Sequence, residues 1–517
     1  MADRHAIAHV AIPSLQFLSL NGHESLSNLY EFEVELVSMD NFIDVRKMLG
    51  TQLTVELESF MSTPRYLTGR VRKFELVGSD QDGSEYLIYK AHVVPPLWYL
   101  TQGKDYKIFQ EKKIEDIIKE ILDKFEIKYE FKLSGSYRNW EYVVQYNESP
   151  FNFISRLMEH EGMYYWFKHD KNESTMVISD DASSHEEYPS YETLNYLSSG
   201  FKVFDSREVI TSWRHNAVVT PSKYTVVDFD FRKPSTALDT EKENQLDGDD
   251  SIEVYEWQGG YQELSDGDNY TKLRLEELKV PQEIVEADSN IRGICPGYKF
   301  TLANHPRPSE NQDYVVVQAH YMVQVNGYST NSGREDFFST SFYSLPASIQ
   351  FRAARRTPEP KTHGPQTATV VGPSGEVIYT DKYGRVKVQF HWDRDGKKDE
   401  NSSCWVRVSS PWASTGFGGL QIPRIGDEVV IDFIGGNPDR PLIIGRVYNE
   451  DNQPLVNLPN DSHTSGFRTR TIQGGSDNQN FLLFRDKQGD ELVDVQAEKD
   501  MKIFVKNDFY LTVGNCG

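Results

Sequence analysis

Residues 376–450 contain the most regular alternation of apolar and polar positions in the chain. Short runs there place an apolar residue at every second position, and Gly, Pro and Asp residues separate the runs. This pattern is typical of short antiparallel strands that each bury one face. The predicted buried positions are Val386, Val388, Phe390 and Trp392; Cys404, Val406 and Val408; Val429, Ile431 and Phe433; and Leu442 and Ile444. With a further strand at 376–379, five strands of this length predict a small OB-like barrel.

Residues 1–100 show the same period of two and predict a first β-barrel. In the run 29–38, aromatic and aliphatic residues alternate with mostly acidic ones. Further alternating runs lie at 53–59, 66–78 and 85–96. A polar segment of Ser, Asp, Gln and Gly at 79–83 is expected to form a turn between the last two strands.

Residues 101–200 change to a helical period and predict an α+β insertion. Within 111–125, apolar residues recur at three- and four-residue spacing, as on one face of an amphipathic helix. These residues are Ile114, Ile117, Ile118, Ile121, Leu122 and Phe125. A second helix is predicted between Ser149, which can cap its start, and Gly162, which can end it. The aromatic run 163–170 that follows predicts a strand.

Residues 201–360 return to alternating runs and predict a second β-barrel region. Two such runs lie within 209–234 and two more within 295–325, and polar turns separate the runs. A short helix is predicted over 270–280. The following residues, 361–375, are rich in Pro, Gly and Thr and predict a linker that leads into the barrel.

Residues 451–517 begin with a polar loop and continue with three further alternating runs. These runs lie at 481–489, 491–500 and 501–514. Gly and Asp residues occur where the runs meet, so the segment predicts short strands that are joined by turns.

Three motifs follow one another within 381–449: DKYGRVKVQFHWD, WVRVSSPWAS and GFGGLQIPRIGDEVVIDFIGGNPDRPLIIGRVYN. In this order they resemble the OB module of the VgrG spike proteins of type VI secretion systems. The same module occurs in needle proteins of contractile phage tails. The run 29–38 and the motif ESPFNFISRLMEHEG at 148–162 resemble parts of the family's hub domain. The alternating runs after 481 resemble the start of its needle.

The resemblance implies a mainly β fold with some α+β structure. It implies a hub of two small β-barrels with helical insertions, an OB-fold barrel at 376–450, and at 451–517 a neck and the beginning of an intertwined triple-stranded β-helix. Such a protein is a structural spike and a homotrimer that caps an Hcp-like tube protein and carries a PAAR-type tip protein. Baseplate components and effector cargo or adaptors would be further partners. It would be cytoplasmic before firing and then secreted.

The needle of this family winds three chains together, so that each chain buries its apolar face against the other two. In this chain the inward residues would be Val493, Val495, Ile503, Val505, Leu511 and Val513. We refer to these six residues as the predicted needle core. The resemblance implies no catalytic, cofactor-binding or metal site, and no cofactor is expected.

Composition limits the partners and the compartment. The chain has 55 Lys and Arg residues against 78 Asp and Glu residues, and its net charge of −23 argues against a nucleic-acid partner. Cys295, Cys404 and Cys516 lie far apart and indicate neither a disulfide framework nor a metal site, which favours a reducing compartment. The N-terminus lacks a long apolar segment, so we expect no cleaved signal peptide, and no apolar run is long enough to predict a membrane span.

Three local features could carry chemistry, and each has a simpler explanation. His160 lies between Glu159 and Glu161, but no second cluster of ligands accompanies them, so we interpret all three as charges at a helix end. Cys404 is interpreted as a core residue of a barrel strand rather than as a nucleophile. The polar segment 391–396 lacks the Gly and Glu spacing of an EF-hand, and is interpreted as a hairpin tip.

Enzymatic activity is not expected. The related phage needle carries a lysozyme domain between its OB module and its β-helix, whereas only about 30 residues separate Tyr448 from Phe481 here, too few for such a domain. Alternatives remain. A peptidoglycan hydrolase is the least favoured, and the same architecture would serve a phage tail or an extracellular injection particle. A binding module for oligonucleotides or oligosaccharides would use one polar-basic strand face, formed by Arg385, Lys387, Gln389 and His391.

Overall fold

The computed structural model describes residues 5–59, 64–79, 85–197, 208–244, 252–326, 328 and 335–514. Strands account for 41% of the residues and helices for 13%, which confirms the mainly β fold. The chain forms two compact units: the first contains residues 1–140 and 145–359, and the second contains residues 141–144 and 360–517. The predicted turn at 79–83 lies, apart from its first residue, outside the described residues.

The first unit is built on a sheet of twelve strands among the described residues. Two of these strands, Gln16–Ser25 and Asp313–Gln324, pair antiparallel, so strands from both predicted hub barrels belong to one sheet. The strands of the sheet are Ala6–His9, Gln16–Ser25, Glu31–Ser38, Gln52–Leu57, Arg65–Ser79, Leu87–Val94, Thr193–Asn195, Ile210–Ala217, Glu283–Ser289, Lys299–Ala303, Asp313–Gln324 and Phe337–Pro346. The sequence pattern identified most of these strands but not that they form a single sheet.

Alternation along Glu31–Ser38 produces a buried face of this sheet. Phe32, Val34 and Leu36 are almost fully buried, while the acidic residues between them are partly exposed. Tyr30 precedes the strand and is also buried, and its hydroxyl donates a hydrogen bond to the carbonyl oxygen of Thr68 (2.6 Å). Complete burial of an apolar side chain of this size contributes about 1.5–3 kcal/mol, so this face is a substantial part of the hub core.

The described residues of the first unit form three α-helices: α1 (Ile114–Lys124), α2 (Pro150–Glu161) and α3 (Leu264–Lys279). α1 begins later than the predicted start at 111, because residues up to 113 belong to the strand Asp105–Lys113. α3 begins earlier than the predicted start at 270. α2 has the predicted ends: the backbone N–H of Asn152 donates to the Ser149 hydroxyl (3.1 Å), and Gly162 ends the helix with a left-handed φ of +75°.

Two smaller three-stranded sheets also belong to the first unit. One consists of Tyr164–His169, Ser174–Ser179 and Tyr129–Lys132, and it contains the predicted aromatic strand. The other consists of Leu238–Glu243, Lys223–Asp228 and Glu253–Trp257. The buried face of the second sheet packs against α3, where Tyr224, Val226 and Leu273 belong to one hydrophobic cluster.

The second unit contains a closed five-stranded barrel, which confirms the predicted OB fold. In spatial order its strands are Lys387–Phe390, Gln366–Val371, Glu428–Phe433, Pro441–Val447 and Arg407–Val408. Val386 and Val406, which precede the first and the last strand of this order, exchange two backbone hydrogen bonds (3.0 and 2.8 Å) and so join these two strands. Closure leaves the barrel without a free sheet edge. Its buried residues include Val386, Val388, Phe390, Val406, Val429, Ile431 and Phe433, as predicted, whereas Trp392, Cys404 and Val408 are only partly buried.

The first barrel strand lies within the predicted linker. We expected a linker over 361–375 and a strand at 376–379, but the strand is Gln366–Val371, and Ala368 and Val370 are buried in the barrel. This segment is rich in β-branched residues, which favour a half-buried strand even though Pro and Gly flank it. The linker interpretation of these residues is therefore wrong.

The last barrel strand differs from the prediction by one residue. The sequence predicts that Leu442 and Ile444 face the core, but Ile443 is the buried residue, with 1% of its surface exposed, and Ile444 is 47% exposed. Ile431 pairs with Ile443, and the ladder shifts by one residue at this point, which places Ile444 in a β-bulge. Leu442, Ile443 and Ile444 are three consecutive apolar residues, so the sequence pattern alone does not show which of them faces the core.

The remaining strands of the second unit form a short hairpin, Ala413–Ser414 with Phe417–Gly418, and an open sheet that consists of Thr464–Arg468, Phe481–Arg485 and Leu492–Gln496. Across the described part of the chain, we find no helix that is long and apolar enough to cross a membrane.

The neighbouring isoleucines of the bulge provide a matched pair for a stability measurement. We expect Ile443→Ala to lower the free energy of unfolding of the barrel by about 2–4 kcal/mol, because it leaves a cavity in the core. Ile444→Ala removes the same atoms from a half-exposed side chain and should cost less than about 1 kcal/mol. Urea unfolding of both variants measures the difference. Equal losses would contradict the bulged register.

Candidate trimerisation surface

The C-terminal part of the second unit is an open three-stranded antiparallel sheet. Phe481–Arg485 is the central strand, with Thr464–Arg468 on one side and Leu492–Gln496 on the other. Gly466 allows the first two strands to approach closely, since a Cβ there would lie 2.1 Å from the carbonyl oxygen of Leu482. A sheet of this size needs a covering layer on its apolar face to be stable in water.

Pairing of the strands gathers apolar side chains on one face of this sheet. Leu482 lies between Phe467 and Val495, and Phe484 lies beside Val493. All five side chains are exposed in the single chain. We call these five residues the apolar needle face. The charged side chains of the same three strands, Arg468, Arg485 and Asp494, lie on the opposite face, which they share with Phe481, Leu483 and Leu492.

The six residues of the predicted needle core are all exposed in the single chain, with exposed fractions of 43–83%. The structure brings two of them, Val493 and Val495, together on the apolar needle face. The other four, Ile503, Val505, Leu511 and Val513, lie in 501–514, where the described residues form no strand. Because a single chain cannot test contacts between chains, the inward position of all six stays a prediction.

Sequence reasoning missed three members of the apolar needle face: Phe467, Leu482 and Phe484. The run 481–484 is apolar at four consecutive positions, so alternation does not reveal which of its side chains share a face. Phe467 lies in a polar context, and only the pairing register places it opposite Leu482. The antiparallel pairing of 491–496 with 481–485 would have shown which side chains of 481–484 belong to this face, because side chains directly opposite each other share a face.

The side chains at the end of α2 diverge and do not form a metal site. Glu159 accepts a hydrogen bond from the Thr357 hydroxyl (2.7 Å). Glu161 is buried and accepts hydrogen bonds from Trp140 Nε1 (2.9 Å) and the Tyr270 hydroxyl (3.0 Å). Glu161, which the sequence analysis interprets as a charge at a helix end, is therefore a buried group whose side chain ties α2 to neighbouring parts of the hub.

His160 lies between two aromatic rings. The centroid of its imidazole lies 5.3 Å from the centroid of the Trp140 ring and 4.5 Å from that of the Tyr270 ring. Its Nε2 is buried without a hydrogen-bond partner among the described residues. Burial lowers the pKa of His160 well below 6.5, and the nearby positive charges of Arg274 and Arg138 lower it further. His160 is therefore a neutral packing residue in the folded hub.

A buried ionic cluster in the first unit was not predicted from the sequence. Glu24 accepts hydrogen bonds from the Tyr321 hydroxyl (2.8 Å) and from His169 Nε2 (2.5 Å), and it lies 3.5 Å from the guanidinium of Arg65. Burial alone would raise the pKa of Glu24, but His169 and Arg65 outweigh it and hold the pKa below its usual value. Arg65 also donates to the carbonyl oxygen of Arg292 (2.6 Å). The cluster joins strands that are distant in sequence.

The polar-basic strand face of the barrel is engaged in local contacts. Arg385 pairs with Asp381 (2.8 Å), and Lys387 Nζ donates to the carbonyl oxygen of Ser403 (2.8 Å). The amide of Gln389 donates to the carbonyl oxygen of Asp393 (2.9 Å), within the segment interpreted as a hairpin tip. These contacts neutralise or occupy the side chains that a nucleic-acid or sugar ligand would need.

The described thiols are not nucleophiles. Cys295 and Cys404 are free, and burial raises the pKa of each to about 12. A protonated thiol reacts slowly, so neither residue is suited to covalent catalysis at neutral pH. The described ranges also contain no group of three His, Cys, Asp or Glu side chains that could hold a metal ion.

Three family models match successive parts of the chain. Residues 23–327 match the phage tail baseplate hub (GPD), and 369–448 match the type VI secretion system/phage-baseplate injector OB domain. Residues 465–516, which include the apolar needle face, match the bacteriophage T4 gp5 C-terminal trimerisation domain. The type VI secretion system spike protein VgrG1c of Pseudomonas aeruginosa is 39% identical over 97% of this chain and 69% of its own length. The chain belongs to the VgrG family of type VI secretion spike proteins.

Other relatives agree with this VgrG assignment. VgrG1a of Pseudomonas aeruginosa is 37% identical over 96% of this chain and 77% of its own length. The actin cross-linking toxin VgrG1 of Vibrio cholerae is 32% identical over 95% of this chain but only 46% of its own length. A solved structure of the E. coli c3393 protein, a type VI secretion component similar to T4 gp27 and gp5, has a TM-score of 0.62 at 20% identity, over 85% of this chain and 99% of its own. A Francisella PdpA-VgrG complex has a TM-score of 0.58 at 10% identity, over 95% and 88% of the two chains.

The position of His160 predicts a pH dependence of hub stability. Its pKa is well below 6.5 in the folded chain, so the unfolded chain binds more protons as the pH falls below 6.5. The free energy of unfolding should therefore fall by about 1–2 kcal/mol between pH 7 and pH 5 through this residue alone. His160→Phe keeps the ring contacts and should remove this part of the loss.

Urea unfolding of the VgrG chain and its variant at pH 7 and pH 5 measures this contribution. If His160→Phe shows the same acid-dependent loss as the parent chain, the buried neutral state of His160 is wrong.

Proposed function

We propose that this chain assembles as a homotrimer and forms the spike of a type VI secretion machine. The observation that carries the proposal is the apolar needle face, which one chain leaves exposed. A sheet in water needs a second layer over such a face, and identical chains around a three-fold axis can supply that layer to one another. The match of 465–516 to a trimerisation domain supports the same arrangement.

Burial of these side chains has to outweigh the repulsion between three chains that each carry a net charge of −23. Complete burial of one valine, leucine or phenylalanine contributes about 1.5–3 kcal/mol. Each chain offers the apolar needle face together with Ile503, Val505, Leu511 and Val513. Repulsion between exposed charges is largely screened beyond about 8 Å at physiological salt, so burial is the larger effect.

In the assembled spike, the hub caps an Hcp-like tube protein. The strands of the two predicted hub barrels would give two related positions per protomer and six per trimer, which suits a six-membered tube ring. The needle carries a PAAR-type tip protein, and baseplate components hold the spike before firing. Effector cargo or adaptors also bind it, and the PdpA-VgrG complexes among the structural relatives support this class of partner. The spike is cytoplasmic until firing and is then secreted.

The proposed action is mechanical: sheath contraction drives the trimer through a target envelope, and the chain itself makes or breaks no bonds. The contacts of Glu24, Glu161 and the barrel strand support this view, because their polar groups have structural partners. The relative named as a toxin is matched over 46% of its length, so its activity is not transferred to this chain. A phage tail or an extracellular injection particle would use the same architecture, but identities of 37–39% with VgrG proteins favour type VI secretion.

Light scattering of the purified full chain at micromolar concentration tests the trimer. We expect a mass near three times 59.5 kDa. The double substitution Val493→Asp and Val495→Asp places two carboxylates on the apolar needle face, where burial in a trimer would desolvate them. It should therefore shift the mass to that of a single chain.

A matched control places the charge on the other face of the same strand. Gln496→Asp should leave the mass of the trimer unchanged, because Gln496 lies on the face opposite Val495. A parent chain that remains monomeric, or a control variant that dissociates as readily as the double variant, would overturn the proposed role of the apolar needle face.

Purified peptidoglycan tests whether the chain hydrolyses covalent bonds. We expect the full chain to release no soluble fragments and to produce no cleared band in a gel that contains peptidoglycan. Lysozyme in the same gel serves as the positive control for the assay. A cleared band at 59.5 kDa would make the chain a hydrolase and contradict the proposal.

A further inference from the structure

The barrel carries a hairpin that is fully exposed although its backbone is well defined by hydrogen bonds. Ala413–Ser414 pairs with Phe417–Gly418, and the N–H of Gly419 donates to the carbonyl oxygen of Trp412 (2.9 Å). The hydroxyl of Ser410 donates to the carbonyl oxygen of Gly419 (2.5 Å). Every residue of 411–421 is nevertheless exposed. We call 411–421 the barrel arm.

Close packing of the backbone gives the barrel arm a defined shape. Gly418 has a φ of +136°, and a Cβ at this position would lie 2.3 Å from the carbonyl oxygen of Trp412, so only glycine fits. The rings of Trp412 and Phe417 meet edge to face with centroids 5.6 Å apart. The arm therefore presents an ordered pair of aromatic rings, which costs less conformational entropy on binding than a mobile loop would.

The composition of the barrel arm is that of a contact surface. Trp412 is 62% exposed, Phe417 is 60% exposed and Leu420 is 80% exposed. No charged residue occurs between Arg407 and Arg424, although charged residues make up 26% of the chain. Exposed aromatic residues without charged neighbours are typical of the buried centre of an interface rather than of a solvated loop.

We propose that the barrel arm docks on a second copy of this chain and forms a contact between neighbouring protomers of the trimer. This inference rests on the proposed homotrimer. Two observations favour a second copy as the occupant. The arm belongs to the same compact unit as 465–516, the segment that matches a trimerisation domain, so assembly brings copies of this unit together.

Charge is the second observation. Each copy carries a net charge of −23, so a contact between copies through an uncharged surface adds the least repulsion, and the barrel arm is such a surface. A cationic partner would instead select an acidic surface. Around a three-fold axis the contact is heterologous: each arm packs on a different surface of the next protomer, and the ring of three contacts closes.

Hydroxyl-radical footprinting of the full chain tests the contact. Trp412 and Trp257 have similar exposed fractions in the single chain, 62% and 56%, so their oxidation rates should be comparable without assembly. In a sample that light scattering shows to be trimeric, we expect Trp412 to be oxidised at least about fivefold more slowly than Trp257, since the centre of an interface excludes water.

The two proposals can fail separately in this experiment. A trimer in which Trp412 is oxidised as fast as Trp257 would overturn the docking of the barrel arm and leave the homotrimer intact. A sample that is monomeric would overturn the homotrimer, and the docking proposal with it. Protection of Trp412 in a trimer supports the docking.

Substitutions in the barrel arm measure how much its contact contributes to the stability of the trimer. We expect Trp412→Ser together with Phe417→Ser to raise the concentration at which half of the trimer dissociates by about tenfold or more, because six aromatic rings lose their burial per trimer. Leu420→Asp, which leaves the two rings in place, should act in the same direction. Phe42→Ser, at a phenylalanine of the first unit that is 89% exposed, is the matched control and should have no effect.

Circular dichroism of each variant establishes that the protomer still folds, which is expected because all three arm residues are solvent-exposed in the single chain. If the arm variants dissociate at the same concentration as the parent chain and the control, the barrel arm is not a contact between protomers.

Discussion

One chain cannot cover the apolar needle face, and this constraint links the folding of the needle to assembly. A domain usually packs a sheet against a second layer from the same chain. Here the described residues that follow the sheet, 497–514, form no strand, and their large apolar side chains are themselves exposed. In the proposed trimer, the covering layer comes from the other copies. The stability of the needle then depends on protomer concentration, as in other assemblies without a stable folded monomer.

The hub satisfies its own contacts within one chain. The Tyr321 hydroxyl donates to Glu24 across 297 residues of sequence, and Arg65 and His169 complete the same buried cluster. Pairing between Gln16–Ser25 and Asp313–Gln324 has a similar separation. Contacts between residues so distant in sequence form only when most of the unit has been synthesised, and they favour slow, cooperative folding.

Much of this fold could be predicted from the sequence, because periodicity reports burial directly. The buried face at Phe32, Val34 and Leu36 and the capped ends of α2 followed from spacing and from turn residues. What could not be predicted was register. The three apolar residues at 442–444 conceal which one faces the barrel core, and the four apolar residues at 481–484 conceal which two join the apolar needle face. Register depends on contacts between strands, which the order of residues in one strand does not contain. Long-range ionic contacts such as Glu24 with Arg65 were missed for the same reason.

Strand alternation also resolves a conflict between charge and association. A chain with a net charge of −23 gains solubility but repels its own copies. In the needle sheet, Arg468, Arg485 and Asp494 lie on one face and the apolar needle face on the other, so the period of two separates the charges from the surface that must be buried. An unpaired carboxylate in that buried surface would cost several kcal/mol. In the barrel arm the apolar residues are also kept apart from charged side chains, here because the whole segment between Arg407 and Arg424 is uncharged. Strong net charge and the proposed self-association are therefore compatible in this chain, because the charged side chains and the apolar contact residues lie on different surfaces.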